Sequence, residues 1–162
     1  GGAPHLAGEL LKTMAHIDLV HIPYKGTSLF MSDLASGQVD LAFTGVTSSG
    51  PFIETGRLRP IAVSSLKRSP VYPQLPTLDE SGLKGYELVV WYGLLAPAQT
   101  PRDIVMTLNG AINKALQQKD IQNRIAQEGA YPAGGTTEAF GEFLKSQLAR
   151  YALVIREAKL KE

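Results

Sequence analysis

Between residues 18 and 64, three short apolar segments alternate with two polar loops, and each loop runs into a helix-like stretch. This order constrains the chain strongly, because strands that recur after a loop and a crossover helix lie parallel in one sheet. Residues 18–23 (DLVHIP) read as a strand ended by Pro23. Val39, Leu41 and Phe43 alternate with Asp40 and Ala42, so 39–43 reads as a second strand, and 60–64 (PIAVS) as a third. Tyr24-Lys25-Gly26-Thr27-Ser28 is a tight loop leading into a helix over 29–36 that Gly37 stops. Residues 44–49 (TGVTSS) form the second polar loop, before a short helix ending near Gly56. Loops leaving the C-terminal ends of parallel strands gather at one edge, where ligands of open α/β sheets sit.

The flanks extend the pattern. Residues 4–15 read as a helix, with Pro4 in its first turn and Leu6, Leu10 and Met14 recurring every four. Residues 65–85 form a wandering connection rich in proline, with one small helix that Thr77 and Glu80 can cap reciprocally. Residues 86–96 (YELVVWYGLLA) are too apolar for an exposed element and fit a central strand. The remainder is helical: one helix capped by Thr100 and opened by Pro101, a shorter one over 120–128 stopped by Gly129, and a long final helix capped by Thr136. Its Phe140, Phe143, Leu144, Leu148, Tyr151 and Ile155 form one apolar stripe.

Composition removes several classes of function. With 16 basic against 15 acidic residues in 162, nothing marks a nucleic-acid or membrane surface. The absence of cysteine excludes disulfides, Cys-ligated zinc, iron–sulfur clusters and thiol catalysis. No apolar run reaches the 18 or so residues of a membrane span. No signal peptide opens the sequence, so an export address is expected to have lain upstream. His5 and Glu9 stand one helical turn apart, but two ligands do not make a metal site, and a helix-surface pair is the simpler reading. Ser48 and Ser49 lack the G-x-S-x-G elbow of a nucleophile, and Lys25-Gly26-Thr27 lacks the order of a phosphate loop. Asp40, Arg57, Arg59, Lys67 and Arg68 read as solvated charges. No cofactor is implied.

The two loops are the positive signal. Both are small, polar and placed before helices, whose starts expose unpaired N–H groups carrying about half a positive charge. Such turns bind anions without Lys or Arg. Thr27, Ser28, Thr44, Thr47, Ser48 and Ser49 add hydroxyls. The loops therefore read either as a pocket for a small carboxylate or as ordinary capping of two helices.

At these residues a family resemblance appears. PHLAGELLK, VHIPYKG, SGQVDLAF, GRLRPIAVSSLKRSP, LPTLDESG and WYGLLAPAQTP, in that order, resemble the Bug-type solute-binding receptors of tripartite tricarboxylate transporters over nearly the whole chain. The resemblance implies an α/β fold like that of type II periplasmic binding proteins, incomplete here: one lobe plus the C-terminal helices of the other. It implies a ligand-binding lobe over 1–90 lacking its first strand, and a crossover strand with C-terminal helices over 91–162. It implies a periplasmic receptor, not an enzyme, that hands a small organic anion (a di- or tricarboxylate, amino acid or aromatic acid) to membrane permease subunits. The ligand-binding set it implies is Tyr24, Lys25, Gly26, Thr27 and Ser28 with Thr44, Gly45, Thr47, Ser48 and Ser49, acting largely through main-chain amides.

Two departures qualify the resemblance. The family's N-terminal α/β unit with its Pro/Gly-rich loop has no counterpart in the sequence, so one wall of the cleft is expected to be missing, with weak binding and self-association as consequences. Thr44 and Gly45 stand where the family often places an acid and an amide, and a neutral loop favours an anion over a cation. Two rivals remain at this level. An effector-sensing domain of a transcription regulator shares the general fold but would need a DNA-binding segment. An enzyme on an α/β scaffold would need an acid/base pair or a nucleophile.

Overall fold

A computed structural model describes residues 2–157. Six helices follow in order: α1 (Ala3–Ala15), α2 (Thr27–Ala35), α3 (Val46–Glu54), α4 (Arg102–Leu116), α5 (Lys119–Gln127) and α6 (Thr137–Glu157). Three of them, α2, α3 and α5, stop at glycines the sequence singled out, whereas α1 ends on His16 at φ 53°. Gly37, Gly56 and Gly129 take φ values of 78°, 69° and 72°, a left-handed conformation that ends a helix at little cost only for a residue without Cβ. Thr136 caps α6, its Oγ1 accepting from the Ala139 N–H at 3.1 Å.

Four local expectations need correction. α2 and α3 begin earlier than the polar loops suggested, so Thr27 and Ser28, and Val46 to Ser49, are first-turn helical residues, not loop. Thr100 does not cap α4; Pro101 stands at that position. Thr77 and Glu80 do cap each other reciprocally, both N–H to oxygen distances being 2.9 Å, but they close a turn that Gly82 (φ 110°) ends before a helix forms. The fourth concerns the strands. Residues 18–23, 39–43, 60–64 and 86–96 form no ladder among the described residues; the pairing present is one parallel bridge, Val63 to Thr77, and a lone bond from the Leu88 N–H to the Ser64 carbonyl at 2.9 Å. A parallel strand is held only by neighbours beside it and layers above and below. Here Val20 and Tyr92, at 83% and 95% exposure, have neither.

The core forms where elements distant in sequence converge. Leu6 and Ala7 of α1, Leu88 of the segment after Gly85, and Val154 of α6 are buried together, flanked by Leu10, Phe43, Tyr151 and Ile155. Tyr86, wholly buried, donates its hydroxyl to the Ala7 carbonyl at 2.8 Å. Arg150 of α6 pairs with Glu87 at 2.5 Å, beside this core. Trp91 meets Phe140 and Phe143 edge-on, at centroid distances of 6.1 and 5.4 Å. Thus α1 and α6 pack together, and α2 packs on α3.

Candidate functional site

The first turn, 24–28, is fastened to its own helix. The Tyr24 hydroxyl donates to Asp33 Oδ2 at 2.7 Å, and its ring meets Phe30 edge-on at 6.1 Å. The bond to the Asp33 carboxylate, which an ionised phenol would lose, raises the Tyr24 pKa. Lys25, Gly26 and Ser28 are exposed. Gly26 is the N-cap residue of α2, and neither it nor any acid in the first turn caps the helix. The side chain of Thr27 lies outside the described residues.

The second turn has the same plan. Gly45 is the N-cap residue of α3, again without a side-chain cap and without an acid in the first turn. Thr44 Oγ1, just before it, is buried and has no hydrogen-bond partner among the described residues. Ser48 is exposed. Ser49 is buried and turned inward, its hydroxyl donating to the Gly45 carbonyl at 3.0 Å, so it serves the helix. Since α2 and α3 pack together, two helix starts with N–H groups not satisfied by side-chain caps belong to one unit. Such an arrangement favours negative oxygen atoms.

Two residues that sequence reasoning passed over touch these turns. Asp33 fixes Tyr24. Glu128, just after α5, accepts a hydrogen bond through Oε2 from Thr47 Oγ1. The sequence signalled only that a helix stops at Gly129; nothing in it links Glu128 to a residue 81 positions earlier. Tyr131 adds a second tie, donating its hydroxyl to the Arg68 carbonyl at 2.6 Å.

The histidines cluster elsewhere. His5 and His21 stack with centroids 3.8 Å apart and planes within 8°. Glu9, itself buried, lies 3.8 Å from His5 and 3.6 Å from Lys12, so it is not the exposed partner the sequence suggested. Burial first, then the facing His21, pushes the His5 pKa down. Among the described residues, no three His, Asp or Glu side chains gather in a metal-binding group.

Comparison with known proteins places the chain in a family. The family model described as the tripartite tricarboxylate transporter family receptor matches residues 1–160. A UPF0065 protein from the tcbD-tcbE intergenic region of Pseudomonas sp. (strain P51) is 40% identical over 161 residues, covering 99% of this chain and 48% of its own. A UPF0065 protein from the clcB-clcD intergenic region of Pseudomonas knackmussii is 35% identical over 161 residues, covering 99% of this chain and 95% of its own. Among solved structures, R. palustris Rpa4515 with adipate superposes with a TM-score of 0.86 at 35% identity, over 98% of this chain and 53% of that one. The periplasmic binding protein BugD superposes with a TM-score of 0.82 at 37% identity, over 99% and 54%. The chain thus spans about half the length of the strain P51 relative and of both solved structures. Its backbone follows the course of part of a periplasmic binding protein, so the incomplete α/β fold stands even where the strand ladder is not closed.

Proposed function

From the premise that the chain belongs to the tripartite tricarboxylate transporter receptor family, we propose that it carries the anion-gripping turns of a periplasmic receptor for a small organic carboxylate. Tyr24, Lys25, Gly26, Thr27 and Ser28 form one side of the grip, and Thr44, Gly45, Thr47, Ser48 and Ser49 the other. Main-chain N–H groups at the starts of α2 and α3 hold the carboxylate oxygens, Tyr24 braces the first turn, and Ser49 braces the second from within. Residues 1–90 make up the gripping lobe and 91–162 the part that ties it to the rest of such a receptor. Delivery goes to the permease subunits of a tripartite transporter. The family's members are receptors, and no step of bond chemistry is assigned to any residue here.

The observation that carries the reading is the pair of helix starts without side-chain caps, on two helices that pack together. Glycine at the N-cap forgoes only about a few tenths of a kcal/mol relative to Ser, Asp or Asn, so both starts keep N–H groups open to a ligand oxygen at little cost in stability. The adipate in the related Rpa4515 structure is a small dicarboxylate of the chemistry these turns suit. Titrating isotope-labelled protein with adipate, and separately with a diamine of equal length, tests it. Adipate at millimolar concentration is expected to move the backbone amide signals of residues 26–29 and 45–49, and the diamine to leave them still. An equal response to both, or none to adipate, overturns the reading.

A further inference from the structure

A carboxylate already touches the first turn of α3 through a side-chain hydroxyl. That turn contains no acid and its N-cap Gly45 offers no side chain. Yet the Glu128 carboxylate reaches it from the end of α5, accepting a hydrogen bond from the Thr47 hydroxyl through Oε2. Gly129 makes the approach possible. A Cβ there would stand 2.6 Å from Val46 Cγ2, in the first turn of α3, and its φ of 72° is one that other residues adopt at a cost. Two adjacent residues at the end of α5 thus lie against the first turn of α3 and bring an acidic side chain to it, while Thr44 Oγ1 beside it stays buried and unpartnered among the described residues.

Resting on the carboxylate reading above, we propose that Glu128 is a specificity-determining residue: an internal occupant of the α3 turn that an incoming carboxylate must displace. Two carboxylates do not share one helix start without mutual repulsion, so one leaves as the other arrives. The Glu128 side chain is exposed, and it can swing into water when displaced. The exchange sets a threshold. A monocarboxylate offers only what Glu128 already supplies, whereas a dicarboxylate engages the α2 turn as well and gains a second contact for the same displacement.

The test compares wild type with Glu128→Gln, an isosteric change at an exposed position, and with Glu142→Gln on α6 as a distant control. Adipate and the monocarboxylate hexanoate serve as probes in amide-detected titrations. Loss of the competing charge is expected to tighten hexanoate by about fivefold to tenfold, with Glu142→Gln unchanged. The preference for adipate over hexanoate should narrow. Equal or weaker binding of both probes by Glu128→Gln overturns the proposal. If neither protein responds to either probe, the carboxylate reading fails and the displacement falls with it, whereas a wild-type response that Glu128→Gln leaves unchanged overturns the displacement alone.

Discussion

Tyr86 shows how much one side chain does here. It is wholly buried, stacks 6.4 Å from Phe43 and sends its hydroxyl to the Ala7 carbonyl, so it joins α1, the segment before the second turn and the segment before Trp91. Removing only the hydroxyl leaves the ring packing intact and the Ala7 carbonyl to its helical partner. Tyr86→Phe is expected to cost about 0.5–1.5 kcal/mol in urea unfolding. Tyr86→Ala, which empties the site, is expected to cost about 3–5 kcal/mol. Equal losses for the two would show that packing around the ring contributes nothing. His5 makes a second prediction at this scale. Burial and the stacked His21 hold its pKa below the ordinary value, so the folded protein prefers His5 neutral. The unfolded chain therefore binds the proton more readily, and stability rises with pH through this window. The contribution is complete above the ordinary histidine pKa and is lost as pH falls through the lowered one. The groups around His5 are His21, Lys12 and the opposing Glu9. His5→Phe keeps the stack and removes the proton, so its urea midpoint should fall less than that of wild type between neutral and mildly acid pH. Parallel declines would refute the assignment.

Among elements, the junction of α5 with α3 is the most exacting. Gly129→Ala meets Val46 and strains a left-handed φ, and should cost about 1–3 kcal/mol. Trimming Val46 to Ala in the same protein should recover the steric part and leave the backbone part, which a double-mutant cycle by thermal or urea unfolding separates. Additive losses would mean the two residues do not meet. The contrast between helices and strands shows what local sequence can reveal. Pro4, Gly37, Gly56, Gly129 and Thr136 mark helix ends through chemistry confined to one or two turns, and they were legible. The starts of α2 and α3 were misplaced because Thr and Ser are as common in loops as in first turns, and the caps proved to be glycines. Strand alternation at Val39, Leu41 and Phe43 was legible as a pattern, but a ladder depends on partners far along the chain. Of the candidate site, the turns could be read from their polar residues. Asp33 and Glu128 could not, because each acts through a contact that no spacing encodes.

At the scale of the molecule, surface decides. A folded chain of this mass is expected to expose about 7,900 Å², whereas this one exposes 11469 Å². The difference, about 3,600 Å², is several times the roughly 800 Å² that each partner contributes to a standard interface. Much of it is apolar. Tyr92, Leu94 and Leu95 run consecutively exposed with only Gly93 between, and neither α4 nor α5 fully buries a side chain. Two consequences follow. The first is affinity. A micromolar grip requires about 8 kcal/mol, and a hydrogen bond to a charged ligand supplies roughly 1.5–3 kcal/mol. The solved relatives are about twice as long. If the other half of such a receptor provides three of those bonds, the 162-residue chain lacks roughly 5–9 kcal/mol and should bind adipate no tighter than millimolar; micromolar affinity by calorimetry would contradict this. The second is association. Exposed apolar runs of this kind favour association, and a net charge of +1 opposes no approach between copies. Sedimentation velocity is therefore expected to show dimers or larger species growing with protein concentration. Tyr92→Glu combined with Leu94→Glu charges the exposed run without touching the core around Tyr86, and should shift the distribution toward monomer. A wild-type chain that stays monomeric at high concentration would mean that this apolar run is too weak, or too dispersed, to bring two copies together.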